Sequence, residues 1–230
     1  MNLNISHRLK KCAEFVSEGS RIADIGTDHA YLPIYLASKN KIDRAIASDV
    51  HFGPLQNAQS NIRSFNLESR IQTRISDGLK NINEDEVDEV IIAGMGGNLI
   101  ISILEDCNWK NKHTKTFILQ PMKHDKNLRV YLSKKGYKVE TEIALKCMNK
   151  LYTVMKVVFE NKPYTLPPFR QYVGSLNPNL SDTKSYVQKQ IHDLENRKMG
   201  ALIKKNIGEG VYYYLLIEKL KDFIYPKEVI

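Results

Sequence analysis

Cysteine and long apolar runs are both scarce in this 230-residue sequence. Its three cysteines, Cys12, Cys107 and Cys147, lie far apart and form no C-x-x-C pair. Such a set builds neither a disulfide framework nor a zinc ribbon, so we expect reduced, mostly buried thiols and no metal. No stretch of about 18 apolar residues occurs, and no apolar segment follows the N-terminal charges. We therefore expect no membrane span and no signal peptide, and a cytoplasmic location.

Positive charge exceeds negative charge. Lys plus Arg number 34 against 26 Asp plus Glu, which gives a formal net charge of +8. Because phosphate neutralisation dominates nucleic-acid affinity, this excess favours a polyanionic partner. Solubility alone also explains a net charge of this size, so the composition leaves both explanations open.

Short apolar runs alternate with amphipathic stretches from residue 21 to about residue 160. Each run is bounded by Gly, Pro, Asn or Asp, a pattern typical of repeated βα units. We expect an α/β fold with seven strands, the first five separated by helical segments and the last two joined as an antiparallel hairpin. The predicted strands are 21–25, 44–48, 70–75, 87–93, 115–120, 137–145 and 150–159.

Helical patterns flank this region on both sides. Apolar residues at helical spacing after a potential cap at Ser6 predict a leading helix over 6–17. Four of the eight prolines lie between residues 161 and 181 and predict a linker. Beyond it, periodic apolar residues predict an antiparallel helical hairpin, 182–206 against 210–224. The domain boundaries that follow are 1–160, 161–181 and 182–230.

The segment ADIGTDHAYLP, residues 23–33, places an acid and a glycine turn at the end of the first strand. Open α/β sheets bind ligands at the carboxyl ends of their strands, and Gly26 lets the backbone approach a ligand closely. The dinucleotide fingerprint G-x-G-x-x-G is absent, because Asp28 stands in place of the second glycine and would repel a pyrophosphate. A cationic ligand fits this loop better.

Asp49 ends the second strand, at a spacing from Gly26 that suits ribose recognition. A carboxylate there accepts hydrogen bonds from the hydroxyls of a nucleoside. The alternative is that Asp49 only caps the helix that begins near Gly53. The spacing favours the ribose interpretation.

Three further strand ends carry residues suited to a nucleoside. Asp77 can accept the exocyclic amine of an adenine while Gly78 turns the chain close to the ring, although a D-G pair is more often only a turn. The glycines of IIAGMGG leave space for a ligand after the fourth strand. Gln120 offers a donor and an acceptor to a base edge, and Pro121 sets the loop direction. Gln120 equally well satisfies backbone groups of its own loop.

Acids at three strand ends without a dinucleotide glycine set are what S-adenosylmethionine requires. The segments DIGTDHAYLP, SDGL, IAGMGG and LQP, with the acid at Asp49, also resemble the bacterial tRNA adenine N1-methyltransferases that modify adenine 22 in the D-arm. The resemblance spans roughly residues 4–160 and extends over the hairpin only to architecture. It implies a Rossmann-like class I methyltransferase sheet with an antiparallel last strand, a coiled-coil-like helical domain, S-adenosylmethionine as cofactor, S-adenosylhomocysteine as product and tRNA as substrate.

The resemblance also implies cofactor-binding positions at four strand ends. The matching positions are Asp24, Gly26, Thr27, Asp28, His29, Asp49, Val50, Asp77, Gly78, Ala93, Gly94, Met95, Gly96 and Gly97. Relatives can carry Glu at the position of Asp49, and either carboxylate can hold a ribose.

Methyl transfer from a sulfonium is an in-line displacement, so the enzyme must hold the acceptor nitrogen behind the methyl carbon. A carboxylate near the adenine ring stabilises the positive charge that develops there. Asp28 is the candidate, with His29 and Tyr31 positioning the base. The alternative is that Asp28 and His29 serve only the methionine moiety and that Tyr31 belongs to the core. Because N1 lies on the Watson–Crick edge, the adenine must be unpaired or extruded.

Basic residues on the hairpin and the leading helix are candidates for RNA backbone contacts. Together with the fifth strand end, the predicted substrate-binding residues are Gln120, Pro121, Arg8, Lys10, Lys189 and Arg197. A solvated helix face is the alternative explanation for such charges. The rival functions are methylation of another RNA adenine or a small molecule, noncatalytic RNA binding, and nicotinamide-dependent dehydrogenation. A monomer with no membrane partner is the expected state.

Overall fold

The computed structural model describes residues 3–226, and its centre is a seven-stranded sheet. The strand order is β3-β2-β1-β4-β5-β7-β6. The strands are β1 (Ser20–Ile25), β2 (Ile42–Asp49), β3 (Ile71–Ile75), β4 (Glu89–Met95), β5 (Thr116–Pro121), β6 (Tyr137–Cys147) and β7 (Lys150–Phe159). β1 to β5 pair in parallel, whereas β7 is antiparallel to both β5 and β6, which confirms the predicted fold class.

Eight α-helices accompany the sheet in the described part of the chain. They are α1 (His7–Phe15), α2 (Tyr31–Ser38), α3 (Phe52–Ser64), α4 (Gly97–Glu105), α5 (Asp125–Lys134), α6 (Arg170–Val173), α7 (Ser181–Ile203) and α8 (Ile207–Ile224). The predicted leading helix is confirmed as α1, and the Ser6 hydroxyl accepts a hydrogen bond from the Leu9 amide at 3.4 Å.

The prediction of a helical segment between β3 and β4 is wrong, because these strands are joined by a short 3₁₀ turn, Glu84–Glu86. The segment after Ile82 is rich in acids and lacks helical apolar periodicity. Two of these acids bind other parts of the chain instead: Glu86 pairs with Arg74 of β3 at 2.6 Å, and Glu84 accepts a hydrogen bond from the Asn111 amide at 2.8 Å. The sheet therefore has no α-helix over this crossover.

The two faces of the sheet carry separate hydrophobic clusters. α1, α2 and α3 cover one face with residues such as Cys12, Leu36 and Ile62. α4 and α5 cover the other face with residues such as Ile100 and Leu132. Because both faces are buried, the strands are apolar along most of their length. Burial also raises the pKa of the Cys12 thiol to about 12, which keeps it protonated.

The helical hairpin of α7 and α8 packs on the sheet through a third hydrophobic cluster. Leu194 and Leu220 from the hairpin join Ala144 of β6 and Tyr172 of the proline-rich segment in this cluster. The proline-rich segment is thus packed rather than extended, and it contains α6. The apolar residues predicted on the first helix of the hairpin, α7, are buried only in its first half. Met199 and Ile203, near the tip of the hairpin, are exposed. The domain boundaries remain a prediction.

Within residues 3–226, no helix is both long and apolar enough to cross a membrane. The same residues contain no group of three His, Cys, Asp or Glu side chains placed to hold a metal ion.

Candidate active site

The predicted nucleoside-binding residues lie at one edge of the sheet. Following the sheet order, Asp77 comes after β3, Asp49 ends β2, Gly26 comes after β1, Gly94 lies in the end of β4 and Gln120 in the end of β5. The strand order reverses between β1 and β4, which is the position where open α/β sheets form a ligand crevice. The prediction that these residues share one edge is confirmed.

A pocket of about 390 Å³ opens at this reversal point, between the ends of β1 and β4. It brings together most of the residues predicted for the first and fourth strand ends. The lining residues are Arg8, Leu9, Asp24, Gly26, Thr27, Asp28, His29, Tyr31, Leu32, Ala93 and Gly94. Asp49, Val50, Asp77 and Gly78 lie outside this pocket, at the neighbouring strand ends.

The backbone after β1 is held by the neighbouring strand. The amides of Gly26 and Thr27 both donate to the Ser48 carbonyl at 2.8 Å. Gly26 has a φ of +74°, and a Cβ at this position would collide with the Cε of Met95. Alanine here would adopt a strained positive φ and displace the end of the Met95 side chain, so glycine is favoured at this turn.

Asp24 is the buried acid beneath the pocket. Burial raises the pKa of its carboxyl from 3.8 to about 6, and a hydrogen bond with the Thr27 side chain acts in the opposite direction. Asp24 forms no ion pair with residues 3–226, and burial without a counter-charge disfavours the ionised form of a carboxyl. A cationic group bound in the pocket would therefore compensate the charge of Asp24.

Arg8 lies inside this pocket. Its Nη1 donates a hydrogen bond of 2.5 Å to Oε1 of Gln120, and a Cβ added to Gly94 would lie 3.3 Å from the same nitrogen. Arg8 is predicted, together with Lys10, to contact the RNA backbone. Because α1 packs across the sheet, Arg8 points toward the strand ends and lines the pocket instead of an outer surface. Its contact with the substrate remains a prediction.

The side chain of Gln120 is fully buried and does not reach the protein surface. Its Oε1 accepts from Arg8 and from the Gly94 amide at 3.1 Å, and its Nε2 donates to the Pro121 carbonyl at 2.9 Å. A direct contact with a base edge is therefore wrong for this residue. The alternative, that Gln120 satisfies polar groups around its loop, is confirmed.

Three predicted catalytic residues line the mouth of the pocket. The Asp28 carboxylate lies 3.2 Å from Nε2 of His29, with 72% of its side chain exposed. The His29 ring stacks on Tyr31 at a centroid distance of 4.9 Å. Tyr31 is 42% exposed, so the alternative that it belongs to the core is wrong. Their catalytic roles remain predictions.

One carboxylate oxygen of Asp49 accepts a hydrogen bond from a neighbouring backbone amide. Oδ1 accepts from the His51 amide at 2.8 Å, which shapes the turn before α3. His51 itself occupies the N-cap position of α3, so Asp49 is not the helix cap. Its Oδ2 accepts no hydrogen bond from residues 3–226 and remains available to ribose hydroxyls. The adjacent Val50 is 49% exposed.

At two glycines near the site, contacts within the protein explain why a side chain is disfavoured. A Cβ on Gly78 would lie 3.1 Å from Ile103, and one on Gly97 would lie 2.5 Å from the His124 carbonyl oxygen. Gly97 is buried, and its amide donates to the Lys123 carbonyl at 2.7 Å. The expectation that Gly97 leaves space for a ligand is therefore wrong, because the neighbouring loop fills that space.

Asp77 is exposed and forms an ion pair of 2.6 Å with Lys80. An adenine amine would have to compete with that lysine for the carboxylate. Its cofactor role remains a prediction.

The remaining predicted substrate residues lie away from the pocket. Lys10 is half-buried on α1, and Lys189 and Arg197 are exposed on α7. Both α7 residues and Pro121 line a second cleft of about 360 Å³. Sequence reasoning missed the roles of the Ser48 carbonyl and of Arg8 in the pocket, since neither carries a local motif.

Comparison with known proteins identifies methyltransferases among the family models and the relatives of this chain. Residues 5–155 match the family model described as "Methyltransferase domain". The Bacillus subtilis tRNA (adenine(22)-N(1))-methyltransferase is 40% identical over 153 residues, which is 66% of this chain and 64% of that protein. The match thus spans slightly less than two thirds of that relative's length.

Solved structures match over nearly the whole chain. A Streptococcus pneumoniae protein in complex with S-adenosyl-L-methionine aligns with a TM-score of 0.80 and 32% identity, covering 96% of this chain and 100% of that one. M. capricolum TrmK in complex with S-adenosyl-homocysteine aligns with a TM-score of 0.80 and 29% identity, covering 96% of this chain and 98% of that one. The similarity therefore includes the helical hairpin as well as the sheet.

Proposed function

The chain belongs to the methyltransferase-domain family and, within it, to the bacterial tRNA (adenine(22)-N(1))-methyltransferases, and on this premise we propose that it transfers a methyl group from S-adenosylmethionine to N1 of adenine 22 in tRNA. The observation that carries the proposal is the pocket at the reversal point of the sheet, where Asp24, Gly26 and Arg8 meet. We also propose that the protein acts in the cytoplasm.

The groups around the pocket suit S-adenosylmethionine. Asp24 and Asp28 supply negative charge for the ammonium group, and Arg8 supplies positive charge for the carboxylate. The free Oδ2 of Asp49 suits the ribose hydroxyls. Gly26 and Gly94 line the same pocket. When bound, this cofactor supplies an electrophilic methyl group on a sulfonium.

The chain's own residues then have three tasks at the mouth of the pocket. The exposed face of Tyr31 stacks on the target adenine and orients N1 toward the pocket. Asp28 stabilises the positive charge that develops on the ring or accepts a proton from N6. His29 holds Asp28 and Tyr31 together, since it contacts both side chains.

Nucleoside mapping tests the proposed function. Bacterial tRNA is incubated with the protein and cofactor labelled in the methyl group, and the labelled nucleoside is located by digestion and mass spectrometry. We expect label at N1 of adenine 22, and its loss when adenine 22 is replaced by guanine. Label on another adenine, on a metabolite pool, or on no RNA would overturn the proposal.

A further inference from the structure

We propose that the second cleft, between the loop that joins β5 to α5 and helix α7, binds the phosphodiester backbone of the RNA strand that leads to the target adenine. This inference rests on the proposed function and identifies where its substrate is held. We call this cleft the strand cleft. Its walls include Lys123, Lys126, Tyr152, Thr153, Lys189 and Arg197.

The strand cleft carries excess positive charge. Lys123, Lys189 and Arg197 form no ion pair with residues 3–226, whereas the Lys126 ammonium lies 4.4 Å from the centroid of the Tyr172 ring. Unpaired lysine and arginine side chains are the groups that neutralise phosphates.

The acids of the strand cleft do not cancel this charge. Asp125 is already bound by Arg129 at 3.2 Å and by the Tyr186 hydroxyl. Asp193 is the other acid that lines the cleft. The charge that remains is therefore positive and suits a polyanion.

One end of the strand cleft adjoins the active site. The Lys123 side chain crosses Gly96, where an added Cβ would lie 3.5 Å from its Cε. The Lys123 carbonyl accepts from the Gly97 amide at 2.7 Å, and the Met122 amide donates to the Met95 carbonyl at 2.7 Å. A strand in the cleft would thus reach the end of β4, beside the pocket that holds the methyl donor.

The basic side chains of the cleft are spread along α7. Lys189 and Arg197 are eight residues apart on this helix, so they are separated by about 12 Å. This spacing suits contacts with separate phosphates of one extended strand.

Equilibrium tRNA binding at several salt concentrations tests this proposal. The variant is Lys123→Ala/Lys189→Ala/Arg197→Ala, and the matched control is Lys134→Ala, an exposed lysine at the far end of α5. We expect the triple variant to weaken tRNA binding by at least about tenfold and to lower the slope of log K against log salt by about 3, or about 1 per lost phosphate contact. We expect unchanged S-adenosylmethionine affinity and an unchanged melting temperature.

The failures of the two proposals are distinguishable. An unchanged salt slope in the triple variant, or an equal loss in Lys134→Ala, would overturn the strand cleft. If the triple variant lowers the slope as expected but the wild-type protein methylates no tRNA, the proposed function is overturned and the binding site is supported.

Discussion

The guanidinium of Arg8 hydrogen-bonds to the buried side chain of Gln120, which is 112 positions away in the sequence. The same oxygen of Gln120 accepts the Gly94 amide, so one amide group joins α1, β4 and β5. Arg8 is thereby held over the pocket between β1 and β4. The leading helix thus lines the proposed cofactor pocket as well as covering the sheet.

Replacing Arg8 tests its contact with the cofactor. We expect Arg8→Ala to weaken S-adenosylmethionine binding by about tenfold or more, because a hydrogen bond to a charged group contributes about 1.5–3 kcal/mol. Titration calorimetry measures the change. Lys10→Ala, on the same helix but outside the pocket, should retain full affinity, and an equal loss in both variants would contradict a specific contact.

Asp49 is expected to bind the ribose. Asp49→Ala should weaken S-adenosylmethionine binding at least about tenfold, since hydrogen bonds to a charged acceptor are lost. Asp43→Ala is the control, because this exposed acid lies at the opposite end of β2. Unchanged affinity in Asp49→Ala by calorimetry would remove the residue from the site.

Asp24→Asn should stabilise the ligand-free protein while weakening cofactor binding. The folded-state pKa of Asp24 is raised from 3.8 to about 6, so its stabilising contribution is present below pH 3.8 and is lost as the pH rises through 6. From this shift of the pKa, the free energy of unfolding of Asp24→Asn should exceed that of the wild-type protein by about 3 kcal/mol at pH 8 and by roughly half as much at pH 5. Urea unfolding at both pH values measures this gain. A gain that does not grow with pH would show that Asp24 is not destabilised by its charge.

Gly26→Ala should lower both stability and cofactor affinity. A non-glycine residue at positive φ costs about 1–2 kcal/mol, and the new methyl group would also collide with Met95. Adding Met95→Ala should relieve the collision but not the backbone strain. Gly53→Ala is the control, since it lies in α3 with open space around it and should be neutral or slightly stabilising. Thermal unfolding of the three variants and the wild-type protein separates the two effects.

Arg129→Met should be the most destabilising of these substitutions. Arg129 and Glu142 form an ion pair of 2.7 Å with both side chains almost fully buried. Removing one partner leaves a buried, uncompensated charge, which costs about 3–5 kcal/mol. Arg74→Met breaks the more exposed pair with Glu86 and should cost about 1 kcal/mol or less. Similar losses in both variants by urea unfolding would contradict the importance of burial.

The sequence predicts the strands and the main elements of the pocket because their signals are local. An apolar run bounded by turn residues reports a buried strand, and Asp24 and Gly26 follow such a run directly. The role of Arg8 depends on the packing of α1 against strands that lie far along the chain. The burial of Gly97 against His124 likewise depends on the position of a separate loop. Spacing within one segment carries no information about either contact.

The buried cluster around Arg129 also limits how the hairpin can be engineered. Arg129 donates to the carbonyl of Tyr172 and to the hydroxyl of Tyr186, so α5, the proline-rich segment and α7 share one cation. Tyr186 is the residue through which the hairpin joins this coordination. A chimera that receives the hairpin of another protein should therefore keep it only when the incoming helix carries a tyrosine at this position.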